Sequence, residues 1–317
     1  WPMLDLLFRD AEYFRSSECC EDYISLLSYL CQSFEDFRES RQQHCWYSIC
    51  AALNSTHTST LIAAYSALCS LYEYNPSVIP SLTFPSTQVS MHLGMQSIRK
   101  YAISLLYRIR PSGNVEGIID SLIEVAHEDS NANLILIKMA SIESNAKYLI
   151  QNTGWMITED SSKLDTVRLF GVILTHSELR SAIIHNFEII RFLINITSNA
   201  TTEILTAIGT FVRKLAIEEE FVKELSRSRF LSDYFLAISD KINDKREPDN
   251  DQFVKTTMLM VESIAKVCYV KEFSQMCKLL SNLILSNPKY RSIASKASIE
   301  LCKYKKCAVK FQKLGVA

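Results

Sequence analysis

The sequence predicts an all-α chain, and three observations carry that expectation. Glycine and proline number only seven each in 317 residues, well under their ~12% combined share of average usage, so the turns that sandwiches, Rossmann units and phosphate loops require are in short supply. Apolar residues recur at helical spacing nearly throughout, as in Tyr23, Leu26, Leu27 and Leu30 and again in Leu205, Ile208, Phe211, Val212 and Leu215. A hydrophobic share of 48% supplies material for a sizeable core, which excludes disorder for most of the chain.

Taken in order, residues 1–74 read as N-terminal helices with an acidic cap, since the first 40 residues hold nine acidic and three basic side chains. Residues 75–94 contain Pro76, Pro80 and Pro85 and read as an irregular connection, or one with only short helices. Residues 95–317 read as a run of helices of about 10 to 16 residues, ending in a basic cap. Polar breaks punctuate them at Asn54-Ser55-Thr56, Asp129-Ser130-Asn131, Ser198 to Thr202 and Asp240 to Asp251. Several of these place a side-chain oxygen where it can cap the free N–H groups of the next helix. Gly154 is expected at a helix stop, whereas Gly171 and Gly209 fall inside helices, where a missing side chain permits close packing.

Charge and cysteine content narrow the function classes. Lysine and arginine number 34 against 35 aspartates and glutamates, so no global field draws the chain to nucleic acid or to a membrane. The ten cysteines lie in apolar helical stretches without a C-x-x-C pair, a pattern of buried reduced thiols rather than a disulfide framework or zinc module. Cys31, His44, Cys45 and Cys50 cluster in sequence, but their spacing does not put four ligands on one helix face. The most apolar stretch, Phe187 to Ile196, carries Glu188 and Arg191 and is too short to span a bilayer. The start at Trp1-Pro2-Met3-Leu4 reads as a piece of a longer protein. Nucleophile elbows, phosphate-binding loops, H-E-x-x-H and H-R-D motifs are missing, so the expectation is a non-enzymatic chain with no cofactor and no metal.

A motif recurs at the helix ends: a large apolar residue, a small one, then a polar turn. It reads Lys138-Met139-Ala140, Ile173-Leu174-Thr175, Lys214-Leu215-Ala216 and Lys266-Val267-Cys268, and the last repetition ends at Leu301-Cys302. Short apolar-spaced helices are expected after each, at Tyr148–Ile150, Leu179–Ile184, Phe221–Leu225 and Phe273–Cys277. Spacings of 35, 41, 52 and 34 residues between the ends make this a degenerate helical repeat.

These ends, and Val212-Arg213-Lys214-Leu215-Ala216 above all, resemble the armadillo repeat, with Ala67-Leu68-Cys69-Ser70 as the counterpart nearer the N-terminus. The resemblance extends to HEAT and other helical repeats. It implies a right-handed α-solenoid superhelix of about seven degenerate armadillo-like units, whose third helices line a concave groove. In that family an asparagine before the terminal pair grips an extended peptide. Here Lys138, Lys214 and Lys266 stand at three of those positions, with Arg213 beside Lys214, and Ile173 interrupts the series. The implied partner is therefore an extended or acidic protein segment, and the implied role a scaffold or docking region of a larger eukaryotic protein in the cytoplasm or nucleus. Helical-repeat regions appended to signalling kinases are one analogy. The alternative is a nucleic-acid or anionic-membrane adaptor using the basic end, Lys303, Lys305, Lys306, Lys310 and Lys313, with Tyr304 and Phe311 interleaved.

Overall fold

A computed structural model describes residues 20–33, 39–74, 84–109, 111, 115–152, 163–197, 200–243 and 251–316. Among them are 18 α-helices and one short 3₁₀ turn, and no strand. The chain forms two compact units, 1–139 and 140–317. Pro76, Pro80 and Gly154 lie outside the described residues.

The first unit contains α1 (Cys20–Ser33), α2 (Glu39–Ala52), α3 (Thr58–Tyr74), α4 (Ser86–Leu93), α5 (Gln96–Arg108), α6 (Glu116–Val125) and α7 (Ser130–Met139). Helices α1, α3, α5 and α7 pack one on the next, α4 packs on α5 and α6, and α6 on α7. The core holds Trp46, Tyr65 and Leu68, and the buried hydroxyl of Tyr65 lies 2.8 Å from Nδ1 of His92, where the pair satisfies two polar groups that burial would otherwise penalise. The eight-residue helix α4 occupies the second half of the 75–94 stretch, a short helix of the kind expected there. Ala67 and Leu68 are buried in mid-helix, because α3 runs on to Tyr74; they do not mark a helix end.

The second unit contains α8 (Glu143–Gln151), α9 (Lys163–Ile173), α10 (Arg180–Ile184), α11 (Phe187–Thr197), α12 (Thr202–Leu215), α13 (Glu219–Arg227), α14 (Phe230–Asn243), α15 (Asp251–Val267), α16 (Phe273–Ser286), α17 (Arg291–Cys302) and α18 (Lys305–Lys313). Two layers run through it. Helices α9, α12, α15 and α17 pack in series, as do α11, α14, α16 and α18 beneath them. Each helix buries one stripe that it cannot bury alone, which is why the stack continues from neighbour to neighbour.

Local chemistry sets the boundaries. Thr201 caps α12 by accepting from the Ile204 amide at 3.3 Å, and Asp129 accepts from the Asn131 amide at 2.9 Å at the start of α7, both at polar breaks. Asn186 caps α11 in the same manner. Three arginines near helix starts close the preceding helix: Arg99 donates Nε to Leu93 O, Arg180 to Leu174 O and Arg291 to Ile284 O, at 2.9, 3.4 and 2.9 Å. A cation on the orphan carbonyls of a helix end is favoured by both hydrogen bonding and the helix dipole. The short helix expected at Phe273–Cys277 is instead the first turn of the 14-residue α16, because Phe273, Met276, Leu280 and Leu283 continue one buried stripe without a break.

Among the described residues two helix stops have positive φ, and they differ. Gly315, at φ 75°, follows α18, and the Val316 amide reaches back to Phe311 O as a left-handed stop requires. Arg229, at φ 69°, follows α13, its own amide donating to Ser226 O at 3.4 Å, and carries a Cβ in a region that L-residues avoid. Arg229→Gly is therefore expected to stabilise the protein by about 0.5–1 kcal/mol. A urea titration showing a lower midpoint for the variant would contradict this.

Candidate partner-binding face of the second unit

Hydrogen bonds and burial fix how the helices of the upper layer correspond. The Tyr304 hydroxyl donates to Ala265 O at 2.8 Å, linking the end of α17 to the end of α15. His176, three residues past Ile173, makes the matching contact to Ala140 O at 2.8 Å. The buried residues that correspond are thus Ile173, Leu215, Ile264 and Leu301.

In this register the residue before the terminal pair is Val172 in α9, Lys214 in α12, Ser263 in α15 and Glu300 in α17. Lys266 falls one helical turn further on, level with Lys303. By sequence pattern it matches Lys214, because Val267-Cys268 imitates the terminal pair, but Ile264-Ala265 is the pair that is buried while Val267 is half-exposed. Lys266 bonds within its own helix, to Glu262 at 2.6 Å.

Lys214 and Lys138 use their ammonium groups internally. Lys214 donates to Gly171 O on α9 at 2.8 Å, and burial together with the neighbouring Arg180 charge holds its pKa below the usual lysine range. In the first unit, Lys138 donates to Tyr107 O at 3.2 Å and sits over the Tyr107 ring. Each lysine ties its helix to a preceding one in its unit, a role that spacing alone does not reveal. Gly171 is half-exposed with open space where a Cβ would stand, so its contribution is the carbonyl rather than close packing.

The face of the upper layer that is turned from α11, α14, α16 and α18 remains accessible. Arg168 stands on it in α9, Arg213 and Lys214 in α12, Lys255 and Lys266 in α15, and Lys296 and Lys303 in α17, all exposed. Glu262 and Glu300 are the carboxylates interspersed at the helix ends, and they are engaged by Lys266 and Lys303. Arg213 and Lys296 make no ion pair or hydrogen bond with the described residues. Arg168, Lys255 and Lys296 lie away from the helix ends that carry the recurring motif. The signal was the exposed stripe every three to four residues along each helix.

The terminal lysines are less uniform. Lys303 pairs with Glu300 at 2.5 Å, Lys306 lies 5.6 Å from the centre of the Tyr269 ring, and Lys310 is half-buried, while Lys305 and Lys313 are exposed. Among the described residues, no group of three or more histidine, cysteine or carboxylate side chains is arranged to hold a metal ion. No helix there is long and apolar enough to cross a membrane.

No protein-family model matches this chain, and no curated protein matches it either. Solved structures do. An engineered protein whose crystal structure was determined by the Northeast Structural Genomics Consortium aligns over 98% of this chain and 82% of its own, with a TM-score of 0.63 and 12% identity. At that identity the likeness is one of fold.

Proposed function

We propose that the chain is a non-enzymatic scaffold of armadillo or HEAT type, a docking region of a larger eukaryotic protein in the cytoplasm or nucleus, which binds an extended acidic protein segment. The observation that supports this most is the shared exposed face of α9, α12, α15 and α17, where Arg168, Arg213, Lys255 and Lys296 recur from helix to helix, Glu262 and Glu300 at the helix ends are engaged by Lys266 and Lys303, and Arg168 is paired with Asp165 of its own helix at 3.4 Å. In this reading the face lines the concave side of a right-handed solenoid.

Spacing gives the proposal content. Packed helices lie about 8–10 Å apart, and an extended chain advances about 3.3 Å per residue. A segment crossing the face thus meets a new helix every third residue, and acidic side chains at that interval would meet successive cations. Neutral hydrogen bonding to the peptide backbone by an asparagine series is replaced here by charge, which favours fast, salt-dependent association.

The test uses a labelled peptide with glutamate at every third position. Reversing Arg213 and Lys296 to glutamate is expected to weaken binding by about 10-fold or more at low salt, the direction set by the like-charge cost at an interface. Lys214→Glu should additionally lower stability, since it loses the bond to Gly171. Undiminished binding by the Arg213/Lys296 variant would overturn the reading. Loss of binding only on reversing Lys305 and Lys313, with RNA or anionic vesicles as the better ligand, would favour the adaptor alternative.

A further inference from the structure

At the end of α9 two cations close the same helix terminus. Lys214 of α12 donates to Gly171 O at 2.8 Å, and Arg180, at the start of α10, donates Nε to Leu174 O at 3.4 Å. The two carbonyls are three residues apart, about 4.5 Å of helix rise, so the ammonium and the guanidinium are held side by side. Among the described residues neither is paired with a carboxylate. Arg99 and Lys138, which make comparable bonds in the first unit, are compensated: Arg99 is paired with Glu128, and the ammonium of Lys138 lies over the Tyr107 ring. Beside Lys214, Gly171 is half-exposed and leaves open space where a side chain would start. We infer that Lys214 and Arg180 form an oxyanion site for a phosphorylated serine or threonine of the protein segment that crosses this face. The inference rests on the reading of the face as one that holds an extended acidic segment, and it assigns the chemistry of one anchor in it.

Lys214 commits one of its three N–H donors and Arg180 one of its five. Those that remain match a phosphate dianion, whose three terminal oxygens accept charge-assisted hydrogen bonds, whereas a carboxylate offers two oxygens and less charge. Burial, and after it the Arg180 charge, hold the Lys214 pKa below the usual lysine range, so an incoming dianion relieves a repulsion that is already present. Exposed Glu178, Glu218, Glu219 and Glu220 follow the ends of α9 and α12. Their charge disfavours a nucleic-acid backbone or an anionic bilayer relative to a single phosphoryl group.

The test compares two labelled peptides by fluorescence anisotropy with the full chain, one carrying glutamate at every third position and one in which a single glutamate is replaced by phosphoserine. The phosphopeptide is expected to bind about 10-fold more tightly, the increment of one charge-assisted hydrogen bond or more. That gain should shrink below about pH 6 as the phosphate takes up its second proton. Arg180→Gln should abolish the gain while affecting the glutamate peptide far less. Gly171→Leu, at an open helical position where leucine is the better helix former, should also abolish it without loss of stability, which separates a blocked site from a lost fold. Equal affinity for the two peptides, or a gain that survives Arg180→Gln, overturns this inference and leaves the reading of the face standing. No binding of either peptide overturns both. Tighter, Arg180-dependent binding of a short RNA or of phosphoinositide-containing vesicles would overturn the assignment to a phosphorylated protein segment.

Discussion

Replacing Phe211 by alanine is expected to destabilise the protein by about 3–5 kcal/mol, the usual cost of emptying a buried phenylalanine site. Phe211 is 1% exposed on α12. Its ring lies 6.3 Å from Phe170 of α9 and 6.5 Å from Phe221 of α13, and Phe170 in turn lies 6.3 Å from Phe192 of α11. One side chain thus joins three helices in contact, and a fourth through Phe170, in both layers. Surrounding rings cannot collapse into the gap without giving up their own contacts, so the cavity persists. Against a typical total of about 5–15 kcal/mol, the loss is a large fraction of the stability. Phe211→Leu should cost about 1–2 kcal/mol, since most of the volume is kept. Guanidinium unfolding midpoints distinguish the two, and an alanine variant within ~1 kcal/mol of the parent would show that the aromatic cluster is not the centre of this core.

The second large effect is expected from adding a single carbon. Gly209 lies in mid-helix in α12, where alanine would ordinarily gain about 1 kcal/mol of helix propensity. A Cβ there would stand 2.6 Å from the Tyr234 hydroxyl and 3.2 Å from Cγ2 of Thr256. Tyr234 cannot swing aside, because it is fully buried, stacked on Phe230 at 5.5 Å, and donates to Leu205 O at 2.7 Å. Gly209→Ala is therefore expected to destabilise by about 2 kcal/mol net, overpacking and a lost hydrogen bond outweighing the propensity gain. The double variant with Tyr234→Phe removes the obstructing oxygen and should recover about 1 kcal/mol relative to the sum of the two single changes. Additive single effects in that cycle would show that the clash is relieved elsewhere.

Much of the helical layout could be read directly. The apolar spacing of Leu205, Ile208, Phe211, Val212 and Leu215 is the buried stripe of α12, the polar breaks at Asp129 and Thr201 are caps, and the close approach expected at Gly209 is present. Correspondence between helices was harder. Val267-Cys268 and Ile264-Ala265 are both a large residue followed by a small one on one helix, three residues apart, so local pattern cannot choose between them. Burial against α12 and α17 selects the second. For the same reason Lys266 looked equivalent to Lys214 although it occupies the next turn.

The residues of the candidate face divide in the same manner. Arg213 was legible because it sits beside the signature of α12 and remains exposed. Lys138 and Lys214 were recognised as special, but their partners, the Tyr107 and Gly171 carbonyls 31 and 43 residues away, depend on which helix lies alongside. Arg168, Lys255 and Lys296 lie on the polar stripes of their own helices, but those stripes acquire a common face only once the helices are stacked.

By itself, the sequence determined that this protein is built of helices, where most of them start and stop, and which stripe each buries, because those properties follow from periodicity, caps and a shortage of turn residues. The tertiary structure decided which positions are equivalent from helix to helix and which lysines are spent holding helices together. Those facts rest on contacts between residues far apart in the chain, and no local pattern encodes such distances.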